Sequence, residues 1–392
     1  MASRAGARFV SRGPVVAPVV ARRSFVSRAA YNAAKKLMPK ISETERVALG
    51  CGTVGFDRDI FSGAPKLETL LETYTPKMGL TAEEEAFMGS ECEALCGLVD
   101  DFEVLQSKDF SSETWEFMRR KGFFGLKIPK EWGGKGFSTA ATSAILVKLA
   151  SVSSDLSSTV AVPNSLGPGE LLVRYGTQQQ QEKYLPALAD GTYIPCFGLT
   201  GIHSGSDATS LIGSHGEVRR HPETGELGVL ASFDKRYITL APVAGLVGLG
   251  FELSDPQNLL GGTGAPGFTV ALLERDHEGL EMGPRHCPLN AAFMNGTVKG
   301  EDVWIPMDAI LGGQERCGFG WHMFVECLAE GRGVSLPAMA VALGKGVGPI
   351  VGAYARARKQ FKVPIAEFGG VQEALALLAS DGYVALGAGR QT

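Results

Sequence analysis

Three things are scarce in this chain of 392 residues. The first is acid near its start: Arg4, Arg8, Arg12, Arg22, Arg23, Arg28, Lys35, Lys36 and Lys40 are set among serines and small apolar residues, and no carboxylate appears before Glu43. The second is a long uncharged apolar run. The longest, Tyr237–Phe251, contains Pro242 and several glycines. It falls short of the ~20 residues a membrane-spanning helix needs and reads better as two buried strands. The third is any ordered set of metal ligands. Cys92 and Cys96 stand one helical turn apart with no second pair, and the six histidines (203, 215, 221, 277, 286 and 322) show no ligand spacing. The seven cysteines, odd in number and scattered, therefore read as reduced structural thiols. A net charge of −4 gives no bulk attraction to nucleic acid. The 51 glycines have no Gly-x-y period, so they imply tight turns and close backbone contacts rather than a collagen-like rod.

The basic, acid-free start has the composition of an organelle-import presequence over residues 1–40, with cleavage expected after Arg22–Arg23 and the mitochondrial matrix as destination. A disordered basic tail is the other reading.

Beyond it the texture is helices, strands, helices, which predicts an α+β protein. The expected layout is an N-terminal helical domain over 41–191, a central β domain over 192–313 and part of a C-terminal helical bundle over 314–392. Thr81 with Glu84, and Thr177 with Gln180, form capping boxes. The spacing of Phe87, Leu95, Leu98, Phe102 and Leu105 predicts one apolar helix face. Further helices are expected over 112–122 and 138–151, and Pro186 is expected to bend or end the helix opened by Thr177. Strands are expected at YIPCFGL, GVLASFDKRYITL, GFTVALLERD and EDVWIP. The last helices carry Val371, Leu375 and Leu378 on a face that needs partners, so the bundle is expected to continue past Thr392.

Three stretches carry candidate chemistry. In IPCFGLTGIHSGSDATS (194–210) an apolar strand runs into small and polar residues. Thr200 and Ser206 supply hydroxyls, and the loop's N–H groups could meet the acceptor-rich edge of a flat heterocycle such as a flavin. Taken alone, it reads more readily as an ordinary strand-to-loop turn. In FDKRYITLAP (233–242), Tyr237 and Thr239 alternate to one face, where an aromatic and a hydroxyl could cover a ring, or Tyr237 could simply pack in the core. In ARARKQF (355–361), Arg356, Arg358 and Lys359 are read on one helix ending near Pro364, suited to pyrophosphate or merely solvated. GKGVG at 344–348 lacks the strand and the Lys-Ser/Thr of a phosphate loop. No Ser-His-Asp arrangement can be drawn.

Taken in order, these stretches resemble the acyl-coenzyme A dehydrogenase family, most closely its large bacterial-type fatty-acid members, over about residues 41–385. YGTQQQQEKYLPALADG is similar to that family's helix pair before the first strand, and CFGLTGIHSGSD to its first flavin signature. KRYITLAP, SDPQNLLGG and RHCPLN resemble the large subclass, and GEDVWIPMDAILGG and RKQF match later landmarks. Gly201 and Ile202 stand where the family has Glu-Pro, and Ser204 where it has Ala.

The resemblance implies FAD between the β domain and the C-terminal bundle. It assigns Phe197, Leu199, Thr200 and Ser206 to the isoalloxazine, and Tyr237, Ile238 and Thr239 to the strand over its other side. Arg358 and Phe361 would reach the FAD of a neighbouring subunit, implying a homo-oligomer. Ser206 and Arg332 would lie near a bound fatty acyl-CoA, and an electron-transfer flavoprotein-type acceptor would take the electrons. The family's base is a glutamate expected beyond Thr392. Glu330, beside the Gly331 where some members carry it, is the weaker candidate. The implied reaction is α,β-dehydrogenation of a fatty acyl-CoA. An acyl-CoA oxidase, or a non-catalytic flavin- or CoA-binding or structural relative, are the alternatives.

Overall fold

The computed structural model describes residues 57–69 and 79–391, with isolated residues 32, 46 and 50. The chain divides into a unit of residues 1–49 and a unit of residues 50–392. The presequence reading falls on the first and lies outside the described residues.

After a short helix α1 (Asp57–Phe61), the helical layer comprises α2 (Ala82–Phe87), α3 (Glu93–Leu98), α4 (Asp101–Ser107), α5 (Ser112–Lys121), α6 (Thr139–Ala150), α7 (Ser154–Ala161), α8 (Gly169–Tyr175) and α9 (Gln178–Ala189). Hydroxyl caps set most of the starts. Thr81, Ser111, Ser138, Ser153 and Thr177 each accept an N–H of their own first turn, and both expected capping boxes close. Gly122 stops α5 in the left-handed region at φ 76°. The helix carrying Pro186 runs on to Ala189, so proline neither ends nor breaks it before its own last turn.

The single apolar face expected from Phe87 to Leu105 does not form. A π-helical turn, Met88–Cys92, inserts a residue and shifts the phase. Val99 is then extended, and Asp100 caps α4 afresh. Phe87 and Leu95 are buried, while Phe102 is left 69% exposed.

The central sheet has seven strands: β1 (Pro195–Gly198), β2 (Ser214–Arg220), β3 (Leu227–Thr239), β4 (Leu246–Ser254), β5 (Gly267–Glu274), β6 (Glu281–Arg285) and β7 (Asn295–Pro306). Their order is β1-β4-β2-β3-β7-β6, with β5 paired to β4. β4 runs parallel to β1 and β2 and antiparallel to β5. β3 is antiparallel to β2 and β7. β2 and β6 were not expected, and β7 is longer than EDVWIP. β2 alternates buried and exposed residues (Ser214, Gly216 and Val218 inward), but its SHGEVRR has almost no apolar period.

After the sheet come α10 (Gly320–Glu330), a π-helical turn (Gly331–Ser335), α11 (Leu336–Ala357), the two-residue strands β8 (Lys359–Gln360) and β9 (Val363–Pro364), and α12 (Gly369–Gln391). The run Gly320–Ala357 has the length and apolar composition to cross a membrane, which counting uncharged stretches overlooked. Here Met323, Phe324, Cys327, Ala338 and Val341 bury one side of it in the protein core. Val371, Leu375 and Leu378 are half-buried on α12, which packs along α11. One hydrophobic cluster runs from Phe87 through α6 and α7 into β3, β4 and β7 and on to Ala338, joining helices and sheet.

Candidate functional site

β1 ends at Gly198 because the chain leaves β4 there and turns across the sheet to β3. Arg236 N–H donates to Thr200 O at 3.0 Å, and Gly201 bridges Lys235 in antiparallel fashion. The loop closes on itself through Gly201 N–H to Ser204 O at 2.9 Å. A Cβ at Gly201 would stand 3.2 Å from Ser204 Oγ and 3.3 Å from Asp234 O, so only glycine packs there without displacing a neighbour. Nothing lies within 4 Å of the Cβ position of Gly205. Two of the three sequence stretches thus meet: Leu199 and Thr200, half-buried, lie beside the final third of β3. Ser206 is exposed further along the loop.

Tyr237 departs from the expected alternation. A bulge between Lys235 and Ile238 puts Tyr237 at φ 58° and leaves it 54% exposed. The core reading of Tyr237 is therefore overturned, while Ile238 is buried between it and the half-buried Thr239. The ring lies 5.0 Å from His286, centroid to centroid, with the Arg236 guanidinium carbon 5.0 Å from its own centroid. Ile238 is buried in the core and can offer a surface ligand little beyond main-chain groups. The same holds for Phe197, whose ring meets Phe324 of α10 edge-on at 5.0 Å. Thr239 is half-buried and pairs across the sheet with Asn295, whose Nδ2 donates to Thr239 Oγ1 at 3.5 Å.

Polar atoms around this junction are left without protein partners. Ser204 Oγ, His286 Nε2 and Asn295 Oδ1 are buried with no hydrogen bond among the described residues. Such atoms cost about 1–3 kcal/mol each unless something supplies a partner. Orphaned polar atoms, the half-buried hydroxyls of Thr200 and Thr239, an exposed aromatic ring and a loop open at Gly205 suit a flat, polar heterocycle better than an ordinary turn.

Sequence reasoning missed Lys235. It is fully buried, and its Nζ donates to Leu199 O at 3.0 Å. Burial pushes its amine down to about 7. Asp234, its neighbour, is turned instead to Lys299 on β7 at 2.9 Å. The signal was available, because Val229, Ala231, Phe233 and Lys235 alternate in one inward phase, and a charge in that phase needs a reason.

The third stretch does not join the first two in this chain. α11 ends at Ala357, so Arg358 and Lys359 are not on a helix with Arg356. Arg358 is the extended C-cap, because its N–H still closes on Tyr354 O while its ψ has left the helical range. Phe361, at φ 50° and 88% exposed, sits in the turn between β8 and β9. Glu330 and Arg332 lie on the helical run that follows Phe324. Their side chains are outside the described residues.

Residues 84–192 match the family model described as "Acyl-CoA dehydrogenase, N-terminal domain". "Protein HemX" of Proteus mirabilis is 51% identical over 86 residues, 22% of this chain and 51% of that protein. The "3-(aryl)acrylate reductase" of Clostridium sporogenes is 31% identical over 282 residues, covering 70% of this chain and 68% of the relative. "Caffeyl-CoA reductase-Etf complex subunit CarC" of Acetobacterium woodii is 30% identical over 281 residues, 71% of this chain and 68% of the relative. The chain therefore spans about half of the first relative and about two thirds of the other two. Among solved structures, an acyl-CoA dehydrogenase complexed with FAD from Bacillus anthracis superposes with a TM-score of 0.69 at 24% identity, over 82% of this chain and 52% of that one. Together with the crossing of the Thr200 loop over β3, these similarities show that the chain belongs to the acyl-CoA dehydrogenase family, whose cofactor is FAD.

Proposed function

We propose that this chain binds FAD where the Leu199–Ser206 loop meets Tyr237–Thr239, and that it acts as an acyl-CoA dehydrogenase on fatty acyl thioesters. The observation that carries the reading is the junction itself: a hydroxyl-bearing loop, an exposed aromatic and a second threonine converge where buried polar atoms lack protein partners. Thr200 and Thr239 would hold the polar edge of the cofactor, and Tyr237 would cover it. Ser206, exposed at the loop, and Arg332, on the π-helical turn, would meet the acyl-CoA.

Bound FAD supplies a two-electron acceptor for a hydride leaving Cβ. The protein's part is to hold the thioester in a dry site and polarise its carbonyl, so that the α-proton becomes acidic enough to pass to a carboxylate base, for which Glu330 is the candidate within this sequence. The exposed Phe361 and Arg358 support a homo-oligomer in which the β8–β9 turn reaches a neighbouring subunit. An electron-transfer flavoprotein is the proposed acceptor, in line with the Etf complex in the name of the Acetobacterium relative. The basic, acid-free first 42 residues support a mitochondrial matrix location.

A second reading, reduction of a conjugated double bond in an aryl-acrylate-type substrate, is favoured by the 31% identity to an aryl-acrylate reductase. One experiment separates them. The purified protein, reconstituted with FAD, should show a flavin spectrum. Anaerobic octanoyl- or palmitoyl-CoA should then bleach it. Bleaching by neither, with reoxidation of the reduced flavin by an aryl acrylate or its CoA thioester, selects the second reading. A colourless protein that retains no FAD sinks both.

A further inference from the structure

Leu199 O and Thr200 N–H belong to one peptide unit, and in a trans peptide they point in opposite directions. Lys235 Nζ, from inside the sheet, takes the oxygen side of that unit at 3.0 Å. The N–H side is thereby turned away from the buried lysine. The antiparallel bridge just beyond uses Arg236 N–H and Thr200 O, so the Thr200 N–H takes no part in it.

Lys235 is the only lysine buried among the described residues, and Leu199 O is the one acceptor its ammonium has there. Packing alone does not call for it. Its stem lies against Gly198, where a Cβ would sit 3.7 Å from Lys235 Cγ, and any long apolar side chain would fill the same space. What a methionine or leucine lacks is the donor. Once protonated, the amine also polarises the amide it grips, making the opposite N–H a stronger donor in turn.

We propose that Lys235 is a positioning residue for the cofactor: it fixes and polarises the Leu199–Thr200 peptide so that the Thr200 N–H is presented to the acceptor-rich edge of FAD. The inference rests on the FAD reading above. It deepens that reading by assigning a role to a residue that meets no ligand.

The test uses the full chain, with FAD as the probe. Wild type, Lys235→Met (no donor) and Lys235→Gln (neutral donor) are compared at pH 6, below the value of about 7 to which burial pushes the amine, for FAD affinity by fluorescence quenching, for the flavin absorption envelope and for flavin midpoint potential. Circular dichroism and melting serve as controls on folding. Lys235→Met should bind FAD about tenfold more weakly or worse, the scale of one charge-assisted hydrogen bond. Lys235→Gln should recover most of that affinity, while its midpoint potential falls below that of wild type because a positive charge behind the flavin edge is gone. A merely structural lysine would move melting and leave spectrum and potential alone.

Wild-type affinity and spectrum in a folded Lys235→Met overturn the proposal. If Lys235→Met does not fold, Lys235→Gln decides: unchanged potential overturns it, and lowered potential with retained binding supports it. Failure of the wild type to bind FAD is a different result, and it strikes the functional reading itself.

Discussion

Gln180 Nε2 lies 2.7 Å from the carbonyl oxygen of Ile310, 130 residues away in sequence. The same amide nitrogen donates to Asp308 O at 2.8 Å, and the amide oxygen accepts from Thr177 N–H at 3.1 Å and Gly312 N–H at 3.0 Å. All four hydrogen-bonding positions of the side chain are filled, and the residue is buried. The capping box at the start of α9 is thus also the joint that ties this helix to the chain beyond β7. Gln180→Leu should destabilise the protein by about 3 kcal/mol or more, since it orphans several buried groups. Thr177→Ala should cost only about 1 kcal/mol, the usual worth of a cap. Denaturant midpoints of the two variants check the ordering, and equal losses would show that the joint contributes nothing beyond the cap.

Lys235 should make stability depend on pH in a defined window. Its folded value is about 7, against 10.5 for a free lysine, because burial disfavours the ammonium. Between those values the unfolded chain binds more protons than the folded one, so stability from this group rises with pH. The penalty is full below about pH 7 and gone by about pH 10.5. Lys235→Met should therefore be more stable than wild type at pH 6, with the advantage shrinking steadily towards pH 10. Unfolding curves at several pH values measure it. An advantage that stays constant across the series would mean the amine does not titrate as its burial demands.

Tyr237 is held at φ 58°, where an L-residue with a Cβ is strained by about 1 kcal/mol or more. Replacing it by glycine should relieve the strain, and the exposed ring takes little core packing with it. Tyr237→Gly is expected to match or exceed wild type in melting temperature while binding FAD more weakly. Loss of stability without any change in FAD affinity would assign the ring to packing rather than to the cofactor.

The thiols should sort by burial. Cys92 and Cys196 are buried and pushed up to about 12, whereas Cys287 is exposed in the RHCPLN segment. Under native conditions at pH 8, a maleimide should modify Cys287 first among the described cysteines, with Cys92 and Cys196 reacting only on unfolding. Peptide mapping by mass spectrometry reads this directly, and early labelling of Cys196 would mean that β1 opens readily.

Much of the helical layer was legible because its signals are local. A hydroxyl at Thr81, Ser138 or Thr177 caps the turn beside it, and Gly122 ends α5 through its own φ. The two stretches at the candidate site were legible as unusual, an apolar strand opening into small residues and a strand with Tyr237 and Thr239. That they meet was not, because the hydrogen bond from Arg236 to Thr200 joins positions whose pairing depends on where β4 and β7 lie. The bulge that exposes Tyr237 and the π-turn that exposes Phe102 escaped for a related reason: each inserts one residue, and period counting assumes none.

The sequence by itself determined the capped helix starts at Thr81, Ser138 and Thr177, the α+β order and the family. These follow from side chains acting on their own backbone and from motifs in order along the chain. Only the tertiary structure decided that β1 turns onto β3, that Arg358 and Phe361 leave their helix for an exposed turn, and that Lys235 stands buried behind the Leu199–Thr200 peptide. Those outcomes depend on contacts between residues tens of positions apart, and whether burying an amine is tolerable depends on the low-polarity interior that the whole fold creates around it.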